Sequence, residues 1–358
     1  MLNVNASSAK PIDFNKITIN SPYKLTQEVI VADLLANTGK ELLTFSVDDD
    51  ENHWLIIYGL DETSYQYVIA QQVKIPKALF LYDLSDYQEA QLQNLYFLSE
   101  SALIKYDNKQ FITLEHSQSI YVKDEAEYLN RGEFIQDLNG DSFDDAVIAD
   151  FRETHLLIGQ ADGKFIKQTL PIKPQVTLDA KRANYRETTL FYHDVNFDGR
   201  IDIVQVTSGE MLTYYQKENQ AFSTAPTSLA INESISGTDW WRKRDASGEQ
   251  LDQSNLEYRK LEELRDINAD GIVDMVVRYT TASGVLDRVN DYEIYLGTNT
   301  ENKLSYANEA SSVIHTDGTL VGVEFVDINN DEKFEILLSG LDIGLSQVIA
   351  ALVTGGID

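Results

Sequence analysis

The chain has 358 residues, of which 43% are hydrophobic, so it is long enough and apolar enough to bury a sizeable core. Its 58 acidic residues outnumber its 29 basic residues and give a formal charge of −29, which excludes a broad cationic surface for nucleic acid or for an anionic membrane. The chain contains no cysteine, so disulfides and thiolate chemistry are excluded as well.

The sequence shows no targeting or membrane-spanning segment. Residues 1–10 show no basic region followed by an apolar stretch, so we expect no signal peptide within this chain. No apolar run reaches the ~18–20 residues that a membrane-spanning helix needs.

The 19 tyrosines and 14 phenylalanines, with only 6 prolines, favour strands over disorder. Residues 14–19 are predicted to form the first strand.

Segments rich in Asp and Asn recur along the chain, roughly 50 to 70 residues apart, and each is followed by an apolar run. These segments begin at Asp33, Asp83, Asp137, Asp194, Asp266 and Asp327. From Asp137 onward they share one pattern, with Asp at position 1, an aliphatic residue at position 2, Asn at position 3, Asp at position 5 and an acid at position 9. The first two segments keep only part of this pattern. A period of this length predicts propeller blades or solenoid units.

Each unit is predicted to contain four short strands, with the Asp-rich segment between the first and the second. Around Asp137 the predicted strands are residues 133–137, 145–150, 155–159 and 165–171. The second strands are nearly all apolar, which is typical of strands buried on both faces. Radially stacked four-stranded blades bury both faces, so we predict an all-β chain and a β-propeller. The best helical alternative covers residues 255–265.

The units together predict one domain, residues 1–358, built as a propeller of six blades, with seven blades as the alternative. The last unit has an apolar third strand near residues 347–354 and no fourth strand, whereas the strand at residues 14–19 is spare. We therefore expect the N-terminal strand to join the C-terminal blade and close the ring. An insertion at residues 236–255 accounts for the longest spacing between two units.

The loop pattern has the chemistry of a Ca²⁺ site. Ca²⁺ takes about six to eight oxygens, and side chains at positions 1, 3 and 5 of a tight loop can converge with a carbonyl at position 7 and an acid at position 9. Gly199 and Gly271 at position 6 allow the left-handed backbone that the turn needs, whereas Ser142 and Glu332 lack that freedom. An EF-hand is excluded, because position 12 is never Glu and lies in an apolar strand.

These D-x-N-x-D-G-x-x-D loops, set between strands at blade spacing, resemble the FG-GAP/VCBS repeat family, which includes the propellers of integrin α-subunits. The resemblance spans essentially the whole chain, although only the units from Asp137 onward carry the specific motif. It implies a propeller that binds two to four Ca²⁺ ions, with no ligands in the segments at Asp33 and Asp83. The implied ligands, with the position-7 residue contributing its carbonyl, are Asp137, Asn139, Asp141, Phe143, Asp145, Asp194, Asn196, Asp198, Arg200, Asp202, Asp266, Asn268, Asp270, Ile272, Asp274, Asp327, Asn329, Asp331, Lys333 and Glu335.

The insertion at residues 236–255 places Trp240 and Trp241 beside Arg242 and Arg244. Trp and Arg are favoured anchors in binding sites, and long loops often carry function. We interpret these four residues as a candidate partner-binding site for a sugar ring or an acidic partner. The alternative is that one Trp is buried under the loop while the basic residues neutralise nearby acids.

The family resemblance implies a function in binding rather than catalysis. The five histidines show no metal-ligand spacing, and the sequence has neither a nucleophile elbow nor a phosphate-binding glycine loop, so we predict no catalytic residues. We expect a calcium-stabilised scaffold that recognises a protein or glycan at the cell surface or in an exported complex, and that does not insert into the membrane. The alternatives are a propeller-based polysaccharide lyase or hydrolase and a purely structural module of a larger assembly.

Overall fold

The structure is a computed structural model that describes residues 18–36, 39–88, 91–121, 129–178, 183–245, 248–284, 288–315, 319–329, 331 and 333–341. Within these residues every regular element is a β-strand, apart from one 3-10 turn at Trp240–Arg242. The predicted all-β class is therefore confirmed for the described part of the chain. None of its segments forms a helix long and apolar enough to cross a bilayer.

The chain divides into two compact units, Met1–Ile135 and Gln136–Asp358. The strands of the first unit are β1 (Lys24–Leu25), β2 (Ile30–Ala32), β3 (Glu41–Val47), β4 (His53–Asp61), β5 (Gln66–Lys74), β6 (Leu81–Leu84), β7 (Leu95–Leu98), β8 (Ala102–Asp107), β9 (Gln110–His116) and β10 (Asn130–Arg131). They form two sheets, one ordered β1-β3-β4-β5 with β2 also paired to β3, and one ordered β10-β6-β7-β8-β9. Pairing is antiparallel except between β10 and β6.

The second unit contains the remaining strands of the described chain. They are β11 (Ile135–Gln136), β12 (Asp145–Ala149), β13 (Thr154–Gly159), β14 (Phe165–Leu170), β15 (Gln175–Leu178), β16 (Ala183–Arg186), β17 (Leu190–His193), β18 (Asp202–Val206), β19 (Glu210–Tyr214), β20 (Thr227–Ala230), β21 (Ile235–Ser236), β22 (Leu256–Arg265), β23 (Asp274–Ala282), β24 (Arg288–Tyr295), β25 (Gly297–Asn299), β26 (Leu304–Tyr306), β27 (Ser312–Ile314), β28 (Thr319–Val326) and β29 (Glu335–Leu341). The larger sheets are ordered β11-β12-β13-β14, β17-β18-β19-β20 and β21-β22-β23-β24-β27. Two-stranded pairs join β15 to β16, β25 to β26 and β28 to β29.

Burial follows the apolar runs of the sequence. Every residue of β6, β7 and β13 is buried, whereas in the outer strands β5 and β14 only Leu170 is buried. Inner strands are thus covered on both faces, as their lack of alternation predicts. Each fully buried large apolar side chain stabilises the fold by about 1.5–3 kcal/mol.

Each unit has its own packed interior. The core of the first unit gathers the aromatic rings of Phe45, Tyr82 and Phe97, and the Phe45 and Tyr82 ring centroids lie 4.4 Å apart. In the second unit, one cluster contains Val204 and Met275, and another is built on strands β13 and β18. These cores fix the strands whose connecting loops carry the predicted sites.

The strand predictions around Asp137 are confirmed, because β11 to β14 match the predicted ranges to within two residues at each end. The helical alternative at residues 255–265 is wrong, because all but the first of these residues form strand β22, which bulges between Leu261 and Glu263. The predicted closing strands at 14–19 and 347–354 lie wholly or mostly outside the described residues. The closed ring, the number of blades and the single domain therefore stay predictions.

Candidate functional site

The predicted Ca²⁺ loops at Asp137, Asp194 and Asp266 are described in full, and each connects neighbouring strands of one sheet. They join β11 to β12, β17 to β18 and β22 to β23. Neighbouring strands lie about 4.8 Å apart, so each loop must fold back tightly on itself. The strand–loop–strand setting expected from the sequence is confirmed for these three loops.

The Asp266 loop shows how the polar side chains organise the turn. The two carboxylate oxygens of Asp266 accept the amides of Asp270 at 3.2 Å and Gly271 at 2.8 Å. The Asn268 Oδ1 also accepts the Asp270 amide at 3.0 Å, while the Asn268 Nδ2 donates to the Asp270 Oδ2 at 3.0 Å. The Asp270 Oδ1 accepts the Ile272 amide at 2.9 Å. The side chains at positions 1, 3 and 5 therefore face the inside of one turn.

The other two fully described loops reproduce these contacts. At position 1, Asp137 and Asp194 accept the position-5 amide, each at 3.1 Å. The position-3 Asn again donates to the position-5 carboxylate, at 2.9 Å and 3.0 Å. The three loops thus bring together the side-chain oxygens of equivalent positions, although their sequences differ.

Position 9 holds a buried aspartate that bridges two parts of its sheet. These residues, each 0% exposed, are Asp145, Asp202 and Asp274. One carboxylate oxygen accepts the position-2 amide of the same loop, at 2.9, 3.3 and 3.1 Å respectively. The other oxygen accepts an amide at or just beyond the end of the third strand, at 2.7, 2.9 and 2.8 Å. The amide donors of this second contact are Gly159, Gln216 and Gly297. We call this pair of contacts the carboxylate clamp.

Two glycines let the clamp close. A Cβ atom at Gly159 would lie 2.4 Å from the carbonyl oxygen of Asp144, and one at Gly297 would lie 2.3 Å from that of Val273. Both distances are too short for non-bonded atoms, so a side chain is not tolerated at these two positions, whereas the Asp202 clamp closes on Gln216. These glycines lie outside the loop motif, and sequence analysis did not identify them.

One arm of the clamp persists in a loop that has lost most of its ligand pattern. Glu41 is position 9 of the segment that begins at Asp33, and it is fully buried. Its Oε2 accepts the amides of Leu34 at 2.7 Å and Leu35 at 3.2 Å. The sequence predicts no metal ligands in this segment, but its position-9 acid still holds the loop.

Backbone conformation is also shared between the loops. Position 6 is left-handed, with φ of 68° at Ser142 and 82° at both Gly199 and Gly271. Ser142 thus adopts the conformation in spite of its Cβ, at a cost of about 1–2 kcal/mol. Position 4 is left-handed as well, a feature that sequence analysis missed. The position-4 angles are 74° at Gly140, 62° at Phe197 and 59° at Ala269.

Negative charge accumulates in each loop. Burial, together with the charges of Asp141 and Asp137, raises the pKa of Asp145 to about 7. Burial together with like charges raises the pKa of Asp202 to about 6 and also raises the pKa of Asp274. A cation bound among these carboxylates would remove that repulsion.

The donor set fits Ca²⁺, because every side-chain donor at the ligand positions is a carboxylate or amide oxygen. In the Asp194 loop a competing cation is present. The Arg200 guanidinium lies 2.6 Å from the Asp198 Oδ2, so an ion entering there must displace an exposed ion pair. Exposed pairs contribute only about 0–1 kcal/mol, which does not prevent metal binding.

The last loop, which begins at Asp327, departs from the others and is described except at positions 4 and 6. The Glu335 Oε2 accepts the Ile328 amide at 2.8 Å, so one arm of the clamp is kept. Its Oε1 accepts the Asn329 Nδ2 at 3.1 Å, whereas the position-3 Asn of the other loops donates to position 5. The longer Glu side chain therefore reaches further into the loop than Asp does.

The insertion separates the two predicted tryptophans by burial. Trp240 is 6% exposed and packs with Leu256 and Ala282, while the Arg288 guanidinium lies 4.6 Å from its ring centroid. Trp241 is 42% exposed and meets Trp240 edge to face at 5.6 Å. Only Trp241 therefore presents much surface to a partner.

The two arginines predicted for partner binding are engaged within the protein. The Arg242 Nη1 donates to the Gln175 Oε1 at 3.0 Å. The Arg244 Nη1 donates to the carbonyls of Trp241 and Lys243, each at 3.0 Å. Both guanidinium groups hold the insertion in place, and their role in binding stays a prediction.

Comparison with known proteins leaves the family open. No family model matches the sequence, and no curated protein matches it. Among solved structures, the Photorhabdus luminescens Tc holotoxin pore is 13% identical with a TM-score of 0.31, and the match covers 82% of this chain and 14% of that one. An Agrocybe aegerita lectin that recognises non-reducing terminal N-acetylglucosamine is 12% identical with a TM-score of 0.38, covering 89% and 87%. A Lactobacillus plantarum protein is 10% identical with a TM-score of 0.31, covering 81% and 99%. Scores this low establish neither a shared fold nor a function.

Mutations should distinguish the structural role of the position-9 acid from the metal-binding role of the loop carboxylates. In chelator, Asp274→Ala should lower the free energy of unfolding by about 2–4 kcal/mol, because two buried amides lose their acceptor. Asp270→Asn removes a charge from an exposed position and should cost about 0.5–1 kcal/mol in chelator, while reducing the stabilisation gained from Ca²⁺. Urea denaturation of both variants, with and without Ca²⁺, measures this difference. Equal losses in chelator would contradict a separate structural role for position 9.

The close approach at the clamp predicts a second stability effect. Gly159→Ala should destabilise the protein by about 1–3 kcal/mol, because the added methyl overlaps a backbone carbonyl that cannot move freely. Gly284→Ala is the matched control, since a Cβ there meets nothing within 4 Å. It should change the free energy of unfolding by less than about 0.5 kcal/mol. Similar denaturation midpoints for the two variants would argue against the tight approach.

Proposed function

We propose that this protein is a calcium-stabilised β-propeller, six-bladed with seven blades as the alternative, that acts as a binding scaffold outside the cytoplasm. The observation that carries the proposal is a recurring loop lined with oxygen atoms. It occurs in three four- or five-stranded sheets, and in each it is closed by a buried aspartate at position 9. The resemblance to the FG-GAP/VCBS family supports the same assignment. A protein or glycan is the proposed partner.

In this proposal the ions stabilise the fold and take no part in catalysis. Asp266, Asn268, Asp270 and Asp274, with the Ile272 carbonyl, would hold one ion, and the equivalent residues of the other loops would hold the rest. Ca²⁺ supplies two positive charges and a preference for many oxygens. The chain itself supplies the loop, whose turn amides already align the carboxylates. An ion bound only by the folded loop shifts the folding equilibrium towards the native state.

The insertion supplies the proposed contact with a partner. The indole of Trp241 is partly exposed, and the Arg278 guanidinium lies 5.4 Å from its ring centroid. Arg278 in turn pairs with Asp239, and its Nε lies 2.8 Å from the Glu262 Oε1. The ring is therefore held by a fixed cation, and a rigid exposed indole suits stacking on a sugar ring or packing against a protein side chain.

Calcium should raise thermal stability. Each site at 100 times its Kd stabilises the native state by about 2.7 kcal/mol, so we expect the melting temperature of chelator-treated protein to rise by at least about 5 °C when Ca²⁺ is added. Mg²⁺ should have a smaller effect, because it gives up its water reluctantly. Differential scanning calorimetry tests this, with the triple variant D141N/D198N/D270N as the control that should lose most of the rise. Identical melting curves in Ca²⁺ and chelator would contradict the proposal.

Partner binding should depend on the exposed indole. Trp241→Ala should abolish binding on a glycan array and in pull-downs from native membranes, with an unchanged melting temperature. Tyr87→Ala is the matched control, because Tyr87 is 52% exposed and also lies against a cation, the Lys40 Nζ, at 3.9 Å. Binding that survives in the Trp241 variant, or that is lost equally in both variants, would exclude the insertion as the contact surface.

A further inference from the structure

A second group of metal-ligand side chains lies on the hairpin between β12 and β13, away from the calcium loops. The His155 Nε2 is 3.0 Å from the Glu153 Oε1 and 3.8 Å from the Asp150 Oδ2. One ligand atom from each residue lies within 4.8 Å of the other two. Both carboxylates are thus directed at the same imidazole nitrogen.

The hairpin holds these three residues in place. The Asp150 amide donates to the Glu153 carbonyl at 2.8 Å and closes the turn. The Phe151 amide donates to the Asp150 Oδ1 at 2.7 Å, which leaves the Oδ2 on the side of the imidazole. His155 stands in β13 opposite Ile148, and its side chain is only 6% exposed. The nitrogen donor is therefore fixed by the sheet, and the two oxygen donors are fixed by the turn.

The separations suit a small tetrahedral ion. With metal–ligand distances of about 2.0–2.2 Å, two donors of a tetrahedral zinc site lie about 3.4 Å apart. The observed distances of 3.0 and 3.8 Å fall on either side of that value. Shifts of about 0.4 Å would bring both carboxylate oxygens to that distance from the imidazole nitrogen. Ca²⁺ prefers oxygen donors, so the imidazole favours a zinc-class ion instead.

The neighbouring unit shows that the fold does not require these residues. The positions equivalent to Asp150, Glu153 and His155 in the next hairpin are Thr207, Glu210 and Leu212. The same hairpin thus forms with a hydroxyl and a leucine where this unit has a carboxylate and an imidazole. Of these two units, only this one places a largely buried histidine against two acids.

We propose that Asp150, Glu153 and His155 form a binding site for a divalent transition-metal ion, Zn²⁺ by its chemistry, with water as the remaining ligand. The site lies at the opposite end of β12 from the Asp137 loop, about 16 Å along the strand. It is therefore distinct from the proposed calcium sites and does not depend on them. Its ligands are too closely spaced in sequence for any common zinc motif, and for that reason sequence analysis missed it.

Isothermal titration of the full chain with Zn²⁺, in saturating Ca²⁺, tests this site. We expect one saturable equivalent of Zn²⁺, and the double variant D150T/H155L, which copies the neighbouring hairpin, should lose it. Glu153→Gln should weaken binding at least about tenfold, since it replaces a charged ligand by a neutral one. Circular dichroism checks that each variant is folded, and Glu153→Gln decides the question if the double variant is not.

The control is His315→Asn, because the His315 Nδ1 lies 2.9 Å from the Asp291 Oδ2 in an exposed pair with one acid. This variant should bind Zn²⁺ as tightly as the parent protein. Absence of saturable Zn²⁺ binding by the parent protein would overturn the proposal, and the His155 group would then be a hydrogen-bonded cluster that holds no metal. Binding unchanged in Glu153→Gln, or lost in His315→Asn, would overturn it as well.

Discussion

A buried carboxylate that accepts two backbone amides is the interaction on which the described sheets with a full loop motif depend. In each, one oxygen of the position-9 Asp fixes the start of its loop and the other fixes the end of the third strand. A hydrogen bond to a charged acceptor contributes about 1.5–3 kcal/mol, and here two such bonds form away from water. A single side chain therefore ties the loop to the third strand, in addition to the backbone pairing between the second and third strands.

The clamp also explains why acids gather at the ends of the sheets. Burying Asp145 or Asp202 disfavours the charged form, and the carboxylates at positions 1 and 5 add repulsion. The amide donors offset part of this penalty, and a divalent cation would offset the rest. Twelve of the 58 acidic residues lie at the ligand positions of the four loops, where bound calcium would neutralise part of their charge. Fold stability and metal binding are, in this account, two consequences of one arrangement.

The sequence was most informative where side-chain chemistry repeats at fixed spacing. The loops at Asp137, Asp194 and Asp266, and the strands around the first of them, follow from that spacing, because alternate positions in a tight turn face one point. Left-handed backbone at position 4 could not be predicted from Phe197 or Ala269, since neither residue favours it. The role of Gly159 depends on a strand that reaches the loop only through the tertiary fold.

The sequence also could not predict which tryptophan of the insertion is buried. Trp240 and Trp241 are adjacent and chemically identical, yet one packs against Leu256 and the other is exposed. The His155 group has a related explanation, because a two-stranded turn places Asp150 and Glu153 on the side of the imidazole. For Trp240 the decisive contact comes from strand β22, and for His155 it comes from the conformation of the hairpin turn.

The central claim is that the oxygen-lined loops are cation sites formed by the folded chain. Equilibrium dialysis of the metal-free protein against radioactive Ca²⁺ measures this directly as the number of ions bound per folded chain. We expect two to four ions to be bound at saturation, and we expect binding to be abolished when the protein is unfolded in urea. A folded protein that binds no Ca²⁺ at millimolar free concentration would contradict it.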